Sequence, residues 1–446
     1  MNDERALPAV TRREAFLYWL KLGFISFGGP AGQIALMHTE LVERRRWISE
    51  NRFLHALNYC MLLPGPEATQ LAVYIGWLLH RTWGGIVAGV LFILPSLAIL
   101  IGLGWIYLAY GHLPLVTGVM NGIKPAVVAI VLAAAWRIGS RTLRNRLLAG
   151  IALAAFIAIA FLGLPFPLVV LGAALAGIVG SRLRPQAFQP ASARAGGHGA
   201  PAAARQRALI DDDTPTPAHA RFSMRRLVLV VCAGLGIMAA AWLLLAAAGG
   251  TQATLAQMGW FFTKAALLTF GGAYAVLPYV VQGAVEHYGW LSAPQMIDGL
   301  ALGETTPGPL IMIVAFVGFV GGWTHALFGP DALPLAGIAG AVVAALFTFV
   351  PSFIFILAGG PLVESTRGNL RLTAPLTAIS AAVVGVIASL ALYFGREVFF
   401  AGGTVQPASI VLGLLAAIAL LRYKVGTISL LGACAVAGLV LSYWHG

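Results

Sequence analysis

Apolar stretches of about 20 residues, the length an α-helix needs to cross the hydrocarbon core of a bilayer, follow one another almost from end to end. Of the 446 residues 59% are hydrophobic and only 10% are charged, so nearly the whole chain is committed to such stretches. This predicts an all-α, polytopic membrane protein. Neither the alternating ten-residue pattern of a membrane β-barrel nor a soluble domain larger than a linker is visible. The first residues, "MNDERALPAV", lack the apolar core and small-residue cleavage site of a secretory signal, and read as mature protein whose charged start stays in the cytoplasm of a bacterial inner membrane.

A net charge of +12 invites a nucleic-acid reading, but most Lys and Arg lie between apolar stretches, where the positive-inside rule places them. No nucleic-acid partner is expected, and the lipid bilayer is. Cys60, Cys232 and Cys434 are scattered without paired spacing, which argues against a disulfide framework or a metal site. There is no metal-ligand cluster, nucleophile elbow or phosphate-binding loop, so the chain reads as a non-enzyme without a cofactor.

Compared with itself, the chain is two related halves. Phe27-Gly28-Gly29 recurs as Phe270-Gly271-Gly272, and at the same offset Lys21 meets Lys264, Trp47 meets Trp290, and Pro64-Gly65-Pro66 meets Pro307-Gly308-Pro309. After a short insertion, Pro95-Ser96 matches Pro351-Ser352, and "GIKPAVVAIV" at Gly122 matches "AISAAVVGVI" at Ala378. Residues 1–180 form the first repeat and 227–446 a connecting span plus the second repeat; 181–226, rich in Arg, Ala, Pro and Gly, read as a disordered cytoplasmic linker. Arg44, Arg45 and Arg46 of the first half face His287, Tyr288 and Gly289 in the second, whereas the later loop carries Arg367 and Arg371 only in the second half. Under the positive-inside rule the repeats have inverted topology, joined by an odd connecting span near 227–248 and ending in a periplasmic C-terminus. Inverted repeats typify secondary transporters, with a site near the bilayer midplane.

Each half holds two broken regions, read as broken or re-entrant half-helices. Backbone of that kind is tolerated at membrane depth only where it is buried in protein or lines a polar cavity. Gly28, Gly29, Gly65, Gly271, Gly272 and Gly308 permit positive φ, and Pro30, Pro66 and Pro309 suit the start of a new helix, with Ala273 in the place of Pro30. Four helix N-termini with free amides, each equivalent to about half a positive charge, suit a small dianion. Lys21 and Lys264, two turns before their glycines, and Lys124, alone in an apolar span, are further anion-site candidates or snorkelling cations. Glu67, directly after Pro66, and Glu304, before Pro307, have no acidic counterparts; they read either as helix-end acids or as carboxylates linking transport to protons. Ser26, Asn58, Gln70, Thr269, Thr305 and Thr306 are nearby donors, equally explained as helix contacts.

In "FGGPAGQ", "LLPGPEATQLAVYIGW", "TFGGAYAVLPYV" and "GETTPGPLIMIVAFVGF" the chain resembles the chromate ion transporter family in its two-domain form, over nearly everything but the linker. The resemblance implies an inner-membrane carrier that exports chromate and confers chromate resistance, with sulfate as a structural mimic. It places the paired Gly-Gly and Pro-Gly-Pro motifs, with Glu67, at the family's motif positions. Export agrees with physics: at about 100 mV, inside negative, a dianion gains roughly 4.6 kcal/mol by leaving. An anion channel, a scaffold-like membrane protein and a flippase of phosphorylated lipid are the alternatives, and a homodimer is carried as an expectation for the assembly.

Overall fold

The computed structural model describes residues 9–188, 208–215, 217–365 and 373–445. Helices account for nearly all of them, and no strand occurs among the described residues. In chain order these are α1 (Arg12–Ile25), α2 (Gly29–His38), α3 (Glu50–Cys60), α4 (Glu67–Tyr110), α5 (Pro114–Thr142), α6 (Arg146–Ala160), α7 (Phe166–Leu183) and α8 (Met224–Gly249). The second half continues with α9 (Thr254–Leu268), α10 (Ala273–Val280), α11 (Ala293–Thr305), α12 (Ile313–Thr324), α13 (Leu333–Ser365), α14 (Thr373–Phe399), α15 (Pro407–Leu421) and α16 (Thr427–His445). Among the described residues six helices are long and apolar enough to cross a membrane, and four shorter apolar ones accompany them. The chain is a multi-pass membrane protein. Its lipid-facing character is plainest on α8, where Leu229, Ile237 and Leu244 stand out from the fold.

The same local grammar is written twice. Ser49 caps α3 by accepting from the Arg52 amide, and at the equivalent place Ser292 caps α11 in a reciprocal capping box with Gln295. After α2 the chain winds into a π-type turn at Thr39–Arg44, and after α10 into another at Val281–His287. The 44-residue α4 is two helices: His80 and Arg81 leave helical geometry, and the chain folds back so that a Cβ on Gly76 would lie 2.5 Å from the Gly84 carbonyl oxygen. α12 and α13 fold back likewise, with Gly318 against Gly340. Small residues at these contacts let the backbones approach, the usual route to tight helix pairing in lipid.

Part of the stretch expected as disordered linker is docked. The Ile210 amide donates to the Trp47 carbonyl (3.1 Å) and its carbonyl accepts from Ser49 (3.0 Å), while Asp212 accepts from Ser49 Oγ and Asn51 Nδ2, both at 2.6 Å. Ile210 and Ala220 are buried in the apolar core of the first half, and the His219 ring bonds the Trp77 carbonyl at 3.0 Å. Polar composition concealed this because the anchors are hydrogen bonds and isolated apolar residues such as Ile210 and Ala220. Residues 189–207 lie outside the described residues, as do Arg367 and Arg371.

Candidate functional site

The glycine breaks of the two halves meet around one cavity of about 710 Å³. α1 ends at Ser26, and Gly28 and Gly29 follow with φ of 88° and 69°, so that α2 starts with its first amides at the break. α9 ends at Thr269, and Gly271 and Gly272, with φ of 80° and 99°, turn the chain into α10. At Gly29 and Gly272 an added Cβ would meet nothing within 4 Å, so these positions require glycine for their backbone angle and face open space. Gly28, Gly29, Pro30, Gly271, Gly272 and Ala273 all line the cavity.

The Pro-Gly-Pro breaks do something else. Gly65 N–H donates to the Thr269 carbonyl (2.8 Å), and reciprocally Gly308 N–H donates to the Ser26 carbonyl (2.8 Å). Each half thus closes the other's break. Gln33, fully buried, donates to the Gly308 carbonyl (2.5 Å), and Gln70 donates to the Pro64 carbonyl (2.8 Å). A Cβ on Gly65 would sit 2.4 Å from Ser352 Oγ, and one on Gly308 2.7 Å from Ser96 Cβ. Here glycine is required for room. The amides of Gly65 and Gly308, expected to be free for an anion, are therefore occupied by backbone carbonyls. Pro66 and Pro309 sit at the cap position, one residue before their helical turns begin.

Glu67 and Glu304 both face the cavity, although they come from opposite halves. Glu304 accepts from the Tyr274 hydroxyl and lies within electrostatic reach of Arg137. Arg137 and Arg141, one turn apart on α5, line the cavity with His38. These are the residues that sequence reasoning missed. In the sequence Arg137 and Arg141 follow an apolar span, where the positive-inside rule places cations; Arg137 has Tyr393 at its repeat position, an asymmetry like that of the two acids.

The three lysines do not join the cavity. Lys21 is exposed on α1. Lys264 packs over the Trp260 ring (5.7 Å) and lines a separate cavity of about 900 Å³ with Glu286, His287 and Arg396. Lys124 lies 3.6 Å from Asp298 Oδ2. The hydroxyls of Ser26, Thr269, Thr305 and Thr306 bond carbonyls three or four residues back on their own helices.

Two arginines, two carboxylates and the N-termini of α2 and α10 leave the cavity roughly one charge positive, on the basis of half a charge per helix end. Among the described residues no group of three or more His, Cys, Asp or Glu is placed to hold a metal. A small oxyanion fits the donor set; the backbone amides and guanidinium groups are acceptor-seeking, and the cavity is far larger than a single tetrahedral ion.

A family model described as Chromate transporter matches residues 13–178 and 256–439. The chain is 33% identical over 388 residues to a chromate transport protein of Pseudomonas aeruginosa, covering 86% of this chain and 82% of the relative. It is 28% identical over 395 residues to a chromate transport protein of Cupriavidus metallidurans, covering 87% and 84%. A probable chromate transport protein of Synechococcus elongatus is 28% identical over 401 residues, covering 89% of each. No solved structure matches the chain.

Proposed function

The chain belongs to the chromate transporter family, and from that premise we propose that it exports chromate from the cytoplasm by alternating access, binding the dianion in the cavity between its two glycine breaks. It is a transporter and not an enzyme. The observation that carries this reading is the convergence of Gly28-Gly29 and Gly271-Gly272 with Arg137 on one cavity. Two helix N-termini and a guanidinium give a dianion charge-assisted donors from three directions.

The end of the molecule bearing Arg141, Arg144, Arg422 and Lys424 is the cytoplasmic one under the positive-inside rule, with the N-terminus and the linker on that side. The cavity reaches that end through Arg137 and Arg141. On this reading the reciprocal bonds at Gly65 and Gly308 form the closed gate, and Lys264 and Arg396 line the second cavity. Two halves of inverted topology that exchange these open and closed states give alternating access, and the exchanged bonds between Ser26, Thr269, Gly65 and Gly308 support that symmetry. At about 100 mV the membrane potential drives a dianion outward by roughly 4.6 kcal/mol. Sulfate, of the same charge and shape, is the expected competitor.

Glu67 shares the anion's space, so its charge opposes binding. A carboxylate about 8 Å from a dianion in water-like surroundings repels it by roughly 1 kcal/mol. Glu67→Gln is therefore expected to lower the KM for chromate about fivefold and to flatten the pH dependence of transport in proteoliposomes. An unchanged KM and pH profile would remove Glu67 from the site. Counterflow tests the carrier itself: chromate inside vesicles should accelerate entry of labelled chromate, whereas a static channel shows no such trans-stimulation.

A further inference from the structure

One buried ionic cluster takes no part in the anion cavity. Asp298 on α11 is 2% exposed, and its Oδ2 accepts from the Tyr107 hydroxyl on α4 (2.8 Å) and lies 3.6 Å from Lys124 Nζ on α5. Its other oxygen, Oδ1, is buried with no hydrogen-bond partner among the described residues. Lys124 also donates to Asn121 Oδ1 (3.4 Å), and Asn121 is exposed. None of these side chains lines the cavity between the glycine breaks.

The placement is informative. α4 and α5 belong to the first half and α11 to the second, so the pair bridges the parts that must move relative to one another. Six residues further along α11, about 9 Å at helical rise, stands Glu304 in the anion cavity. A buried ion pair adds little stability over apolar packing of the same volume. An ionisable side chain kept inside a membrane is a functional candidate by default, and a carboxylate with one bare oxygen has room for one more ligand atom.

We propose that Asp298 is a proton-binding site, and that the proton taken up there crosses the membrane with the anion, so that one net negative charge, half that of the bare dianion, moves with the potential. The proposal rests on the chromate-carrier reading above. Oδ1 accepts a proton from water reached past Asn121 and Lys124, forming one O–H bond; Lys124 keeps its own proton, and the O–H returns its proton to water on the other side. Protonation leaves the Lys124 ammonium uncompensated, which adds one positive charge close to the helix that ends at the cavity. Proton and dianion then favour one another.

Among the described residues, Asp298 is faced by Lys124 and Tyr107. α12 carries no ionisable side chain, and among the described residues those of α14 (Tyr393, Arg396, Glu397), α16 (Cys434, Tyr443) and the turn at Val281–His287 (Glu286, His287) make no hydrogen bond or ion pair with it. Glu67 and Glu304, the acids that sequence alone suggested for coupling, face the cavity and equilibrate with whichever side it opens to. Asp298 lies between the halves, where the proposed opening and closing would change its contacts.

The test uses full-length protein in proteoliposomes, with the potential clamped at zero by valinomycin and equal potassium, and both buffers alkaline enough to keep chromate a dianion. Acid outside should speed initial chromate uptake at least fivefold, and alkali outside should reverse the effect. Asp298→Asn, which keeps an acceptor for Tyr107, should abolish the response to the pH gradient while potential-driven chromate flux stays within about twofold. If the single variant fails to fold, Asp298→Asn with Lys124→Gln neutralises the pair and should behave alike. Wild-type flux that follows potential but ignores the pH gradient would overturn the proposal, as would a pH response surviving in Asp298→Asn. No chromate flux under either gradient would overturn the carrier reading and this proposal with it.

Discussion

Replacing Arg137 with glutamine is expected to cut potential-driven chromate transport by tenfold to a hundredfold at chromate concentrations below KM. A hydrogen bond from a charged donor is worth about 1.5–3 kcal/mol, and in the cavity Arg137 has two tasks. It lines the cavity proposed for the dianion, and it acts on Glu304, whose hydrogen-bond partner among the described residues is the Tyr274 hydroxyl. Losing the guanidinium therefore removes an attraction and leaves a carboxylate less balanced, so affinity falls for two reasons of the same sign. Arg137→Lys keeps the charge but not the planar fork, and should recover part of the loss. Because Arg137 is exposed, thermal unfolding of the purified protein in detergent should move little. Transport within threefold of wild type for Arg137→Gln would contradict its assignment to the anion.

The second large effect separates the two kinds of glycine. Gly308→Ala places a Cβ 2.7 Å from Ser96 Cβ at a φ of +102°. Overpacking costs about 1–3 kcal/mol, and a left-handed angle costs a non-glycine residue roughly 1–2 kcal/mol. The expected result is a strongly lowered melting temperature or a displaced break with lost transport, since Gly308 also donates to Ser26 and accepts from Gln33. Gly272→Ala meets nothing within 4 Å and carries only the angular cost, so it should fold and lose affinity instead. Ser96→Gly, added to Gly308→Ala, removes the atom in the way and should return part of the stability. Equal behaviour of Gly308→Ala and Gly272→Ala would mean that the distinction between a closed crossing and an open anion site is wrong.

Much of this was legible in the residues because Gly and Pro act locally. The positions of the four breaks, the spans and the duplicated motifs follow from periodicity and from what a helix interior tolerates. What escaped depended on partners distant in sequence. Gly65 and Gly308 each had the local form of an open helix end, and nothing nearby in sequence disclosed that Thr269 and Ser26 carbonyls would occupy their amides. Lys124 has the look of an anion ligand when read alone, and its partner Asp298 comes from the other half. Arg137 was hidden by a rule that is correct on average, since arginines after an apolar span do mark a membrane end; here the same end also lines the cavity. Ile210 is one apolar residue in a polar stretch, too weak a signal to announce a docked segment.

Efflux from proteoliposomes loaded with chromate tests the central claim most directly. With an imposed potential, negative inside, chromate should leave several times faster than at zero potential, sulfate outside or inside should compete, and Arg137→Gln should reduce the potential-driven rate at least tenfold. Efflux that ignores the potential, or that persists unchanged in Arg137→Gln, would contradict an exporter that binds the dianion between its glycine breaks.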